Sequence, residues 1–244
     1  MNRFYLFLLS FVLNYFSVFA QVNLVPNPSF ELHNNCPYLS RQILFADYWQ
    51  VLVYSPDYFH KCSTTIVSIP YNGAGFQETR NPLDSAYAGL GIHISLDTGR
   101  TFLGVAFTDT LQIGVQYFIS FYISGGSRSE ITDCSCNKLG AKLFTDISIL
   151  RNGMLGFMDN QADLFVDSVI SDTTNWIQIK GRILADSAYT GIAIGNFFDL
   201  DHTTISCFGS SGHLAYYYID DVCVSSDSAT CFVTTGIPVN PAGE

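Results

Sequence analysis

The chain has 244 residues, with 21 acidic against 11 basic side chains and a formal net charge of −10. That sign excludes nucleic acid and anionic membrane as partners, since both require a cationic surface. It suits metal cations or neutral ligands, and the low charged fraction beside abundant Tyr, Phe, Ser, Thr and Gly suits an extracellular β-protein.

Residues 1–20 have the form of an export signal. Arg3 supplies the positive start, Phe4 to Phe19 an apolar run, and Val18-Phe19-Ala20 the short residues before cleavage. The run falls short of the roughly 20 apolar residues of a spanning helix, and Asn14 interrupts it. Cleavage after Ala20 leaves a domain over residues 21–233, long enough to bury a core without help. No later stretch is long and apolar enough for membrane insertion, so the product is expected to be secreted or held at the outer cell surface. Residues 234–244 read as a flexible tail or the beginning of a linker.

After the opening segment Asn23–Glu31, the stretch Leu32–Asn81 is irregular, broken by Pro37, Pro56, Pro70 and Asn72-Gly73. Alternation then sets in. Ala86, Ala88, Leu90, Ile92 and Ile94 share one strand face, and Tyr117, Ile119, Phe121 and Ile123 another, with Phe118, Ser120 and Tyr122 opposite. A second irregular stretch, Gly125–Lys138, holds Cys134-Ser-Cys136. Between Trp176 and Leu184, Ile177, Ile179, Gly181 and Ile183 alternate with Gln178, Lys180 and Arg182. The strand Thr190–Phe198, a third loop Asp199–Gly212 and the strand Leu214–Val224 follow. No 3.6-residue period is sustained. Alternation with polar partners predicts an all-β fold of two antiparallel sheets, packed face to face and wet on their outer sides.

Seven cysteines in an exported chain read as disulfides. Cys36 and Cys62 flank a loop-rich segment, and Cys223 and Cys231 staple the tail onto the last strand. Either Cys134 or Cys136 is left for Cys207, with one thiol over; a metal site of these three with His202 is the other reading.

Several segments carry a family resemblance: Asn27-Pro-Ser-Phe-Glu31, Trp49, Ser55-Pro-Asp-Tyr-Phe59 with Cys62, and Ile69-Pro-Tyr-Asn-Gly-Ala-Gly-Phe-Gln77. Ala86-Tyr-Ala-Gly-Leu90, Leu139-Gly-Ala141, Ile194-Gly-Asn-Phe197 and Ile219-Asp-Asp-Val222 continue it in order. Together they resemble a secreted jelly-roll domain common in Bacteroidota, which typically precedes type IX sorting, gliding-motility or outer-membrane anchoring modules. More distantly, the Phe-Glu opening and the Asp-Asp-Val closing strand are similar to carbohydrate-binding modules of the galactose-binding-like superfamily. That resemblance implies an antiparallel two-sheet jelly-roll sandwich with a structural calcium between its first and last strands. The matching carboxylates are Glu31 and Asp221, with Asp220 as the alternative, and calcium accepts such hard oxygen ligands.

No catalytic constellation is legible. Gly209-Ser-Ser-Gly212 is not a nucleophile elbow, and the five histidines lack zinc-binding spacing. The expectation is a non-catalytic binding module whose partner is a glycan or, alternatively, a cell-surface protein, as in an adhesion or assembly domain. For a glycan, the candidate aromatic and polar platform is Tyr87, His93, Phe118 and Tyr122 on the sheet face opposite the core. A second group is the loop aromatics Tyr54, Tyr58 and Phe59.

Overall fold

Residues that alternate in sequence divide between two faces of a sheet, and here their apolar halves meet. The computed structural model describes residues 22–93, 99–126, 132–147, 159–208, 214–232 and 240–241. Residues 1–20, expected to be an export signal, and most of the tail lie outside them. Strands β2 (Asp57–His60), β5 (Ala86–His93), β7 (Gln116–Gly125), β11 (Ile177–Leu184) and β14 (Leu214–Ser225) form one antiparallel sheet in the order β11-β7-β14-β5-β2. Strands β1 (Trp49–Val51), β6 (Leu103–Ala106), β9 (Leu139–Phe144), β10 (Leu164–Phe165) and β12 (Gly191–Asn196) form the other, in the order β1-β6-β12-β9-β10. From the tail, Asn240–Pro241 adds a short strand beside β10. Two short strands, β8 (Cys134–Cys136) and β13 (Ile205–Cys207), pair at one end of the first sheet. The long strands cross back and forth, β5, β7, β11 and β14 in one sheet and β6, β9 and β12 in the other. This is the jelly-roll sandwich.

The predicted inward residues build the core. Ala86, Ala88, Leu90 and Ile92 of β5 and Tyr117, Ile119, Phe121 and Ile123 of β7 are buried against Leu103, Val105, Leu139, Ile192 and Ile194 of the facing sheet. Each fully buried aliphatic side chain of this kind contributes roughly 1.5–3 kcal/mol. The hydroxyl of Tyr217, deep among them, donates to the carbonyls of Cys136 and Ile170 at 3.1 and 3.0 Å and accepts from the Cys136 amide at 2.7 Å. A polar tip is tolerated in the core because it is fully partnered.

The two ends of the domain lie side by side. The Asn23 side chain donates to the Val222 carbonyl at 2.9 Å and accepts from the Val224 amide at 3.0 Å, and the Leu24 amide donates to the Val224 carbonyl at 2.8 Å.

The outer faces are not wet throughout, which corrects the expectation from alternation. Residues 61–81 fold back over the first sheet as a flap that includes the hairpin β3 (Tyr71–Asn72) and β4 (Gly75–Phe76). Beneath it Phe59, Tyr87, Tyr216 and Tyr218 are buried with Val67 and Ala74 in a cluster of their own. Tyrosine permits this because its hydroxyl can be satisfied from the covering layer. Tyr87 donates to the Gln77 carbonyl at 2.9 Å, Tyr218 to Asn72 Oδ1 at 2.8 Å, and Tyr216 to Asp57 Oδ2. The disulfide Cys36–Cys62 pins the base of the flap. On the far side of the second sheet, Leu52, Phe102, Ala193, Phe197 and Phe198 form a smaller apolar cluster.

Candidate functional site: an acidic bulge and an aromatic cleft

The first site arises from a break in the alternation of β14. Ile219 and Val222 both point into the core although three positions separate them, so one residue between them is surplus. The pairing with β7 shifts register between Asp220 and Cys223, and Asp221 takes a left-handed φ of +48°. Aspartate enters that region more readily than most residues. The resulting β-bulge re-aims the extra side chain, bringing Asp221 to the side of the sheet that Asp220 already faces.

Asp84 joins them from the turn before β5, where its amide donates to the Asn81 carbonyl at 3.0 Å. The oxygens of Asp84, Asp220 and Asp221 lie within 4.8 Å of one another, the one such group of metal-ligating side chains among the described residues. Asp220 is fully buried. Its Oδ1 accepts from the Asp221 amide at 2.8 Å, while its Oδ2 is buried without a hydrogen-bond partner. Burial, and after it the neighbouring Asp221 carboxylate, pushes the Asp220 carboxyl well above the usual carboxylate range; the same two causes raise Asp84. Two cations reach the group: Arg80, whose guanidinium meets Asp221 Oδ2 and lies 4.4 Å over the Tyr122 ring, and Lys61, whose ammonium donates to the Asp84 carbonyl. The other oxygen of Asp221 accepts from the Ser29 hydroxyl.

Glu31 stands beside this group rather than in it. Its Oε1 accepts from the backbone amides of Ser85 at 2.8 Å and Ala86 at 3.0 Å, fixing the turn that presents Asp84. Of the expected carboxylates, Asp220 and Asp221 come together, and Asp84 occupies the place expected for Glu31. The donor set fits a hard divalent cation: several carboxylate oxygens from three acids, one of them orphaned and buried.

The second site lies on the flap. A cleft of about 670 Å³ is lined by Tyr71, Gly75, Phe76, Gln77, Glu78, Thr173 and Thr174. Tyr71 is 72% exposed and Phe76 43%. Their rings are 4.9 Å apart at 66°, so they form two walls of a notch rather than one flat platform. Trp176 supports the cleft from behind, its indole donating to the Glu78 carbonyl at 3.0 Å and its ring packed against Tyr87.

The residues expected to form a sugar platform are scattered. Tyr87 is buried under the flap, and Tyr58 is buried with its hydroxyl donating to the Phe30 carbonyl at 3.0 Å. Phe118 packs edge-on against Phe232. Tyr122 is half-buried under Arg80. The His93 side chain, His213 and residues 209–212 lie outside the described residues, although the His93 backbone pairs with Leu214. The disulfides Cys36–Cys62 and Cys223–Cys231 are formed as expected. Cys207 is bonded to Cys134, which excludes the metal reading of those thiols and leaves Cys136 as the buried free one. Sequence reasoning missed Arg80, Asp84 and the Tyr71–Phe76 pair. The available signals were an Asn-Pro-Leu-Asp turn before a clear strand and two aromatics flanking Asn72-Gly73.

No protein-family model and no curated protein matches the chain. Among solved structures it is loosely similar to the CBM22-1 xylan-binding domain of Xyn10C from Paenibacillus barcinonensis, with 14% identity, TM-score 0.38, and coverage of 81% of this chain and 90% of that one. The K1 cleaved adhesin domain of Lys-gingipain from Porphyromonas gingivalis W83 is matched at 12% identity and TM-score 0.40, over 82% of this chain and 96% of that one. The enzymatically active domain of tailspike protein 4 from bacteriophage CBA120 is matched at 11% identity and TM-score 0.38; the match takes in 83% of this chain but only 21% of the tailspike chain. At such scores the likeness carries no argument about what this chain binds.

Proposed function

We propose that this chain is a non-catalytic extracellular binding module that takes a carbohydrate in the Tyr71–Phe76 cleft and holds a structural calcium at the acidic bulge. The observation that carries the reading is the composition of the cleft. It places two exposed aromatic walls beside a carboxylate and two hydroxyls, and its volume lies in the usual range for small-ligand sites. Aromatic rings cover the apolar faces of a sugar, and the polar groups around them exchange hydrogen bonds with its hydroxyls. The acidic character of the chain favours a neutral glycan over an anionic one. Three disulfides suit an oxidising, extracellular destination. Among the described residues no helix is long and apolar enough to cross a membrane.

At the acidic bulge Asp84, Asp220 and Asp221 would hold the ion. Bound there, calcium would neutralise the carboxylates and tie the closing strand to the turn before β5.

A glycan array followed by titration calorimetry tests the sugar reading. Truncating an aromatic anchor at the centre of a binding surface costs about 1–2 kcal/mol or more, so Tyr71→Ala and Phe76→Ala are each expected to weaken binding at least about fivefold. Melting should hardly change for Tyr71→Ala, because that side chain is largely exposed. An array with no hits, or variants that bind like the wild type, would defeat the proposal. A second reading, a protein-binding adhesion or assembly domain at the cell surface, is favoured by the exposed apolar side chains Leu32, Tyr38, Leu39, Leu44 and Tyr48 on one segment.

A further inference from the structure

We infer that Arg80 is an internal counter-cation that competes with a divalent ion for the acidic bulge, so that removing it tightens calcium binding. The inference rests on the calcium reading above and adds to it the residue that sets the affinity.

Three features separate Arg80 from an ordinary structural ion pair. First, a guanidinium built for permanence grips a carboxylate with two parallel hydrogen bonds. Here Asp221 Oδ1 accepts instead from the Ser29 hydroxyl. Arg80 meets only Oδ2, and its Nε is buried without a hydrogen-bond partner. Second, its charge sits at the group itself: it meets Asp221, one of the three carboxylates gathered within 4.8 Å. A divalent ion entering among the same oxygens would meet a positive charge of its own sign at close range, and like charges this near repel. Third, Arg80 has room to withdraw. A cavity of about 220 Å³ adjoins it, lined also by Ser120, Tyr122, Gln178 and Thr230. Gln178 donates through Nε2 to the Cys231 carbonyl at 2.9 Å, but its buried Oε1 has no partner. That oxygen is an acceptor suited to a guanidinium that has left Asp221. Arg80 therefore has two stations on the same outer face: on the carboxylates without the ion, and toward Gln178 with it. Tyr122 is the ring on which it rests in the first.

The experiment is calcium titration calorimetry on the whole chain, with melts in calcium and in chelator, for wild type, Arg80→Gln and Tyr122→Leu. Arg80→Gln is expected to bind calcium at least about tenfold more tightly than wild type. It should melt below wild type in chelator and recover in calcium. Tyr122→Leu, which keeps the charge but removes its resting place, should give a smaller gain in affinity and provides the test if Arg80→Gln fails to fold. Wild type and variants that bind calcium equally, or variants that bind it more weakly, would overturn the role of Arg80 while leaving the calcium site standing. Absence of calcium binding in every protein would overturn both.

Discussion

In excess calcium the protein should melt about 5–10 °C above its melting temperature in chelator. The expectation follows from the position of Asp220. Its carboxyl is fully buried, one oxygen has no partner, and Asp221 and Asp84 bring two further acids within 4.8 Å. Without a divalent ion the fold has two ways to relieve this. It can keep a proton on Asp220, consistent with the raised proton affinity there, or it can rely on the nearby charges of Arg80 and Lys61. A cation that binds the folded state alone stabilises it by RT ln(1 + [L]/Kd), about 2.7 kcal/mol at a hundredfold excess over Kd. For a chain of this size each kcal/mol moves melting by about 2–4 °C. Asp220→Asn should abolish the calcium response while leaving the melt in chelator nearly unchanged or raised, since the neutral amide removes a buried acid. Equal melting of the wild type in calcium and in chelator would show that the three acids are ordinary turn and bulge residues.

The largest loss of stability is expected from replacing Cys134 and Cys207 together by serine, a fall in melting of roughly 8–16 °C. The bond joins positions 73 residues apart, and closing a loop of that length restricts the unfolded chain by about 4 kcal/mol in the chain-entropy model. β9 to β12 all lie within the loop, so the cross-link holds half the sandwich in one covalent ring. The double substitution is needed because a single one leaves a cysteine free to seek Cys136, two residues from Cys134. In the wild type Cys136 stays out of exchange: it is buried, and burial pushes its thiol up to about 11, so little thiolate forms near neutral pH. Alkylation under native conditions should therefore leave Cys136 unlabelled. A double variant that melts with the wild type would place the stability of this region in packing alone.

The choice between Cys134 and Cys136 shows where sequence reading stops. Both lie on one face of β8, and nothing in the spacing separates them. The register with β13 does, setting Cys207 directly opposite Cys134 and Ile205 opposite Cys136. Elsewhere periodicity was enough: β5 and β7 bury the described residues that alternation assigns to the core, because period-two burial is a local property of a strand. In β11, by contrast, Ile179 is buried, Ile177, Gly181 and Ile183 are only partly so, and Gln178, assigned outward, is buried. The outer rows were misread for the opposite reason. Tyr87 looks like an exposed sugar platform until the path of residues 61–81 and the partner of its hydroxyl are known, and neither is local; Tyr58, read as a loop aromatic, lies on β2 and is buried in the core between the sheets. Asp84 escaped notice because a lone acid in a turn has no period, whereas Asp220 and Asp221 drew attention by interrupting an apolar strand. Glu31 lies beside these acids with its Oε1 accepting from two backbone amides, partners that no local pattern announces.

The bulge in β14 also bears on how the chain reaches this fold. β14 is the central strand that closes the first sheet, paired to β5 on one side and β7 on the other. A slip of one residue in either pairing would turn its faces over and drive Asp220 between the sheets, where a charge without a partner is very costly. The acids so penalise misaligned docking of the last strand, and its amides should gain protection from hydrogen exchange during refolding only in the native pairing, in one step with those of β7. Two aspartates that look like a ligand for an ion thus also act as an alignment check, one that operates while the sandwich is closing and before any ion or sugar is met.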